Sequence, residues 1–111
     1  MELGLAGTVV VVFGAARGIG AAIARAFAAE AAAVVAVDRD PGVLELAGQL
    51  AGTARAALGL VADVTDFAAV RRTAAEVARR CGRADHVVFA VGVGSGKFGF
   101  PFWKRGEVAN I

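Results

Sequence analysis

Thr8-Val9-Val10-Val11-Val12-Phe13-Gly14-Ala15-Ala16-Arg17-Gly18-Ile19-Gly20 joins a continuous apolar, β-branched run to a glycine-rich turn and then to the start of a helical pattern. A run of this kind without polar alternation reads as a strand buried on both faces, which implies a parallel sheet covered by helices on each side. Beyond the turn, Ile19, Ile23, Ala26 and Phe27 fall at i, i+4, i+7 and i+8, predicting a helix from Gly18 that lays this stripe on the sheet.

The same alternation continues outward. Ala32 to Val37 predicts a second buried strand that Asp38 ends; Asp40 and Pro41 supply an N-cap and a first-turn proline for a helix burying Val43, Leu44, Ala47 and Leu50. Ala56 to Ala62 predicts a third strand, weakened by Gly59, and Asp63-Val64-Thr65-Asp66 offers caps for a helix burying Phe67, Val70, Ala74, Val77, Ala78 and Cys81. Val87 to Val91 predicts a fourth strand, followed after Gly92 by a loop of mixed glycine and phenylalanine. Strand-helix alternation of this kind predicts one α/β domain over residues 1–111, a Rossmann-like doubly wound parallel sheet of order 3-2-1-4 with helices on both faces.

Composition narrows the function classes. With 111 residues, 58% hydrophobic and 20% charged, the chain is too apolar for a disordered segment and too short for two cores. A single cysteine excludes an internal disulfide or multi-cysteine metal site, and the N-terminus shows no basic, cleavable export signal, so a cytoplasmic setting is expected. The longest uncharged stretch, Leu3 to Ala16, is shorter than the roughly 18–20 apolar residues of a membrane span. Net charge is only +2 and spread along the chain, so neither a membrane surface nor nucleic acid is expected as partner, and no metal site is expected.

A glycine turn between a strand and a helix is where a dinucleotide pyrophosphate rests on a helix N-terminus, with the glycines providing the turn and the close backbone approach. Gly14, Ala16, Arg17, Gly18, Ile19 and Gly20 are the candidate residues, and Asp38 at the end of the second strand is the acid such sites use on the adenosine ribose. That carboxylate favours NAD by repelling a 2′-phosphate; Arg17 and Arg39, either of which could reach such a phosphate, keep NADP open. The bland readings are a ligand-free turn and a solvated strand-end acid. Gly94-Ser95-Gly96-Lys97 superficially suggests a nucleotide-triphosphate loop, but the first glycine of that pattern is replaced by Val91, and Phe98 stands where a magnesium-binding hydroxyl is required. A methyltransferase shares the strand-end acid and lacks this turn spacing. Cys81 reads as a core thiol and His86 as a strand-end packing residue.

The Gly-x-x-x-Gly-x-Gly spacing of Gly14, Gly18 and Gly20 resembles that of the short-chain dehydrogenase/reductase family. Asp63-Val64-Thr65-Asp66 resembles the family's adenine-contacting segment, and Asp85-His86-Val87-Val88-Phe89-Ala90-Val91-Gly92 resembles its Asp-Ile-Leu-Val-Asn-Asn-Ala-Gly strand. The resemblance therefore implies cofactor contacts at Asp63, Val64 and Gly92. It also implies a catalytic role for Asn110, which follows Trp103 as the family's catalytic Asn often follows a Trp. For Asp63 a plain helix cap is the competing reading, and for Asn110 a terminal residue with no role.

Departures from the family pattern carry their own expectations. Phe13 replaces the Thr before the first glycine, and Phe89 and Ala90 replace the two Asn residues, so both sides of one polar contact have become apolar; Phe13 and Phe89 are expected to pack together. Ala31 stands where a helix-ending glycine is usual. The family's general acid/base is the Tyr of a Tyr-x-x-x-Lys pair, and this chain contains no tyrosine. The resemblance thus implies the N-terminal, cofactor-binding portion of an oxidoreductase acting on alcohols or ketones, truncated before its catalytic half and binding NAD weakly without turnover. The alternative is a catalytically silent nucleotide-binding or interaction module. Phe98, Phe100, Phe102 and Trp103 suit a substrate pocket, or equally a cover for the sheet's end or an oligomer contact.

Overall fold

A computed structural model describes residues 4–91, with the elements β1 (Val9–Phe13), α1 (Gly18–Ala29), β2 (Ala33–Asp38), α2 (Gly42–Leu50), β3 (Ala56–Val61), α3 (Phe67–Cys81) and β4 (His86–Phe89). All strand pairs are parallel and the order is β3-β2-β1-β4, as the alternation predicts. The glycine-phenylalanine loop, with Gly92, Gly94 to Trp103 and Asn110, lies outside the described residues. No helix among the described residues is long and apolar enough to cross a membrane.

The period-2 geometry of the strands divides the core in two. Val10, Val12, Val34 and Ala36 face α1 and α2, meeting Ala24, Ala28, Val43, Leu46 and Leu50. Val9, Val11, Phe13, Val35 and Val37 face α3, meeting Ala69 and Val77. Every residue of β1 is buried, which accounts for the unbroken apolar run.

The helix faces differ in part from those expected, with Val43, Ala47, Leu50 and Val77 buried as predicted. The α1 helix buries Gly20, Ala24 and Ala28, with Ile23 and Phe27 only partly covered and Ile19 exposed. The α2 helix buries Leu46 where Leu44 was expected; Leu44 is 53% exposed. The α3 helix buries Ala69, Thr73 and Val77, leaving Phe67, Ala74 and Ala78 exposed and Cys81 half-buried. In each alanine-rich helix several stripes fit a 3.6-residue period, and in α1 the one used is the stripe of small residues, Gly20, Ala24 and Ala28, that lets the backbone approach the sheet. Close approach also explains Gly59: a Cβ there would lie 3.0 Å from Ala47 Cβ and 3.2 Å from the Val43 carbonyl oxygen, so this glycine makes room for α2.

The expected caps form with one reassignment. Asp40 Oδ1 accepts from the Gly42 N–H at 2.9 Å at the start of α2. At α3 the cap is Asp66, whose Oδ1 accepts from the Ala68 and Ala69 N–H groups at 3.0 and 3.2 Å, so Asp63 is not the cap. Beyond α1, Ala31 adopts φ 62°, the left-handed conformation, while its N–H reaches the Ala28 oxygen and the Ala32 N–H reaches the Phe27 oxygen. This glycine-type helix ending is imposed on an alanine by those two bonds. Strand β4 starts and ends earlier than expected: His86 pairs with Val10 and its ring lies 6.2 Å from that of Phe27.

At the N-terminal ends of β1 and β4, Asp85 accepts from the Val9 N–H at 2.7 Å and from Arg83 Nε at 2.9 Å, and Arg83 Nη2 donates to the Gly7 oxygen at 3.0 Å. The Val9 N–H foremost, and then the Arg83 guanidinium, hold the Asp85 carboxyl below its ordinary value.

Two outcomes are expected. Ala31→Gly relieves the left-handed strain and raises the urea midpoint, by the equivalent of about 0.5–1 kcal/mol; an unchanged or lowered midpoint contradicts the strain. Because the Asp85 carboxyl is lowered in the fold, its contribution is present above the unfolded-state value of 3.8 and is lost as pH falls through the lower folded value. Asp85→Asn therefore loses stability at pH 7 and shows a shallower acid decline in denaturation midpoints than the parent chain.

Candidate functional site

The C-terminal ends of the strands surround a cavity of about 420 Å³, a size ordinary for small-molecule sites, at the crevice where open α/β sheets bind ligands. Its floor is the glycine turn. The Gly14 and Ala15 N–H groups both donate to the Val37 oxygen, at 2.8 and 3.2 Å, tying the turn to β2. Gly14 has φ 81°, and a Cβ on it would meet the Ala90 oxygen at 2.8 Å. At Gly20 a Cβ would lie 1.9 Å from the Gly14 oxygen, so the first turn of α1 rests directly on the end of β1.

Of the sequence-predicted residues, Gly14, Arg17, Asp38, Arg39, Asp63 and Val64 line this cavity together. Ala16 contributes its N–H, which donates to Asp38 Oδ2 at 3.0 Å. Gly18, Ile19 and Gly20 open α1, with Ile19 76% exposed and Gly20 buried. Sequence reasoning missed Ala62, Thr65, Ala90 and Val91 as lining residues. Thr65 carried a signal, since an Asp two residues before a Thr commonly forms a local side-chain turn; the others are apolar residues at strand ends with no distinguishing mark.

Asp38 is bound on both oxygens, Oδ2 by the Ala16 N–H and Oδ1 by the Asp40 N–H at 2.9 Å. Each carboxylate oxygen retains a further lone pair, so the group can still accept from hydroxyls in the cavity. Across the cavity, Asp63 Oδ1 accepts from the Thr65 N–H and hydroxyl at 2.9 and 2.8 Å. These two bonds, N–H first, and then the Arg39 charge keep Asp63 below its ordinary value, so it is ionised at neutral pH. The α1 N-terminus has neither a side-chain cap nor an acidic residue in its first turn, which leaves its leading N–H groups for an anion. The donor set thus fits a dinucleotide: amides and Arg17 for phosphates, carboxylates for hydroxyl and amine donors. No cluster of three or more His, Cys, Asp or Glu suited to a metal occurs among the described residues.

Comparison with known proteins agrees with this geometry. The family model described as short chain dehydrogenase matches residues 8–105. The D-threitol dehydrogenase of Mycolicibacterium smegmatis is 47% identical over 90 residues, covering 80% of this chain and 35% of that protein. The L-fucose dehydrogenase of Oryctolagus cuniculus is 48% identical over 84 residues, covering 75% of this chain and 28% of that protein. Among solved structures, L-sorbose reductase from Gluconobacter frateurii, complexed with NADPH and L-sorbose, superposes with a TM-score of 0.80 at 34% identity, over 85% of this chain and 36% of that one. The chain spans about a third of the length of the curated relatives it matches. Since the family match covers nearly the whole chain and the sheet order and glycine turn agree with it, the chain belongs to the short-chain dehydrogenase family of NAD(P)-dependent oxidoreductases.

Proposed function

We propose that these residues form the dinucleotide-binding part of an oxidoreductase acting on alcohols or ketones, with NAD preferred to NADP. The observation that carries the reading is the convergence of Gly14, Arg17 at the head of α1, Asp38 and Asp63 on one cavity at the strand ends. When bound, the nicotinamide would supply the hydride acceptor or donor; the chain's own residues bind and orient the dinucleotide.

The leading N–H groups of α1 and the Arg17 guanidinium receive the pyrophosphate, since each supplies positive potential without a competing acid. Asp38 accepts from the adenosine ribose hydroxyls with the lone pairs left by Ala16 and Asp40, and its charge disfavours a 2′-phosphate. Arg39 works in the opposite sense, since it lines the same cavity and its guanidinium could meet a 2′-phosphate. Asp63 and Val64 flank the adenine, Asp63 as an acceptor whose Oδ2 is not engaged by Thr65. Gly92 and Asn110, outside the described residues, are the remaining proposed contacts, Gly92 to the cofactor and Asn110 to a proton relay. The family's phenolic general acid/base has no counterpart in a chain without tyrosine, so these 111 residues bind NAD weakly and do not turn it over.

Isothermal titration with NAD⁺ and NADP⁺ tests this: NAD⁺ binds the tighter of the two, and the absence of binding by either refutes the site. Asp38→Asn weakens NAD⁺ binding by about tenfold, the loss of a charge-assisted hydrogen bond, and narrows the difference between the two dinucleotides. Absorbance at the reduced-nicotinamide band shows no change when polyols or sugars are added with NAD⁺; a steady, protein-dependent rise contradicts the reading.

A further inference from the structure

We infer that Thr65 makes the cavity selective for a base that carries an exocyclic amine: its hydroxyl and N–H hold one oxygen of Asp63 and so present the other to the base. Thr65 is thereby a positioning residue that acts through Asp63. The inference rests on the dinucleotide reading above and deepens it at the base-binding end of the same cavity.

Three observations converge. The backbone around Asp63 is fastened on both sides, since the Ala62 N–H donates to the Asp38 oxygen at 3.0 Å and the Asp66 N–H donates to the Asp63 oxygen at 3.0 Å. Asp63 is therefore set relative to Asp38, and rotation of its side chain is the freedom that remains. Thr65 takes up that freedom: its N–H and its hydroxyl both donate to Asp63 Oδ1, at 2.9 and 2.8 Å, and neither engages Oδ2. The helix task that an acid here would ordinarily serve is already filled, because Asp66 accepts from the Ala68 and Ala69 N–H groups at the head of α3. Asp63 and Thr65 both line the cavity.

Arg39 is the competing partner that gives the Thr65 hydroxyl its importance. It lines the same cavity, and its charge acts on Asp63, though less than the two Thr65 bonds do. Without the hydroxyl, Asp63 keeps the N–H bond alone and can turn toward that guanidinium, whose planar fork suits both carboxylate oxygens. With it, Oδ1 is supplied with donors and Oδ2 faces the cavity as part of an ionised, acceptor-only group. Such an acceptor takes a purine that shows an amine and rejects one that shows a carbonyl in the same place, because two facing oxygens leave a charged acceptor without its donor. The discrimination is only as sharp as the acceptor is fixed. A carboxylate that rotates is correctly placed for part of the time, and affinity for the amine-bearing base falls by that fraction.

The test measures dissociation constants of the 111-residue chain and its variants for NAD⁺ and for nicotinamide hypoxanthine dinucleotide, in which a carbonyl replaces the adenine amine. The parent binds NAD⁺ the tighter, by about threefold or more. Thr65→Val keeps the shape and removes the hydroxyl; it weakens NAD⁺ binding by about three- to fivefold and leaves the hypoxanthine dinucleotide within about twofold. Thr65→Ser restores the preference. Asp63→Asn loses it, and adding Thr65→Val to Asp63→Asn changes neither constant by more than about twofold. Thr65 is exposed, so the variants fold, and Thr65→Ala carries the test should Thr65→Val lower the urea midpoint. The inference is overturned if Thr65→Val keeps the parent's preference, if it weakens both dinucleotides equally as a merely structural residue would, if Thr65→Ser fails with it, or if its loss persists in the Asp63→Asn background. A parent that binds NAD⁺ and the hypoxanthine dinucleotide alike overturns the inference and leaves the dinucleotide reading standing. A parent that binds neither overturns both.

Discussion

The contact between the Gly14 carbonyl and the first turn of α1 is the constraint around which the upper end of the sheet is built. With 1.9 Å between that oxygen and the place a Cβ on residue 20 would occupy, only a glycine lets the helix start so close to the end of β1. That closeness brings the uncapped helix N-terminus to the crevice between strands, and it fixes the direction of the turn that the Val37 oxygen then holds through two N–H groups. Cavity, donor set and strand ends all follow from it.

Two carboxylates fasten β1 at its opposite ends. Below, Asp85 binds the Val9 N–H and the Arg83 side chain; above, Asp38 binds the Ala16 N–H just past β1 and the Asp40 N–H just past β2. Both satisfy backbone donors that the ladders leave unpaired where the strands begin or end, a physical necessity for groups this near a core. Asp38 thus has a structural task in addition to any ligand it meets. Asp38, the acid proposed for ribose recognition, also ties the glycine turn to the end of β2 through the Ala16 N–H.

Where the resemblance to the family implies a polar contact between the first and fourth strands, this chain has an apolar one. A Thr facing an Asn would be joined by a hydrogen bond; Phe13 and Phe89 are joined by stacked faces at 4.7 Å. Phe13 and Phe89 are the last register partners of β1 and β4.

The order of strands, the glycine turn, the strand-end acid and the Phe13–Phe89 pairing were legible in the sequence, because unbroken β-branched runs, glycine spacing and terminal acids are local marks of local physics. The helix faces were legible only in part: Val43, Ala47, Leu50 and Val77 are buried as expected, whereas Leu44, Ala74 and Ala78 are exposed. An alanine-rich helix offers several equivalent stripes, and in α1 the close approach to the sheet chose Gly20, Ala24 and Ala28 over Ile19 and Ala26. Tertiary structure alone likewise assigned the α3 cap to Asp66, freed Asp63 for the cavity, turned Gly59 from a weak point in a strand into the clearance for α2, and brought Thr65 and Ala90 to the site. Each of these depends on which backbones approach one another across the sheet, a relation between segments far apart in the chain that no local pattern encodes.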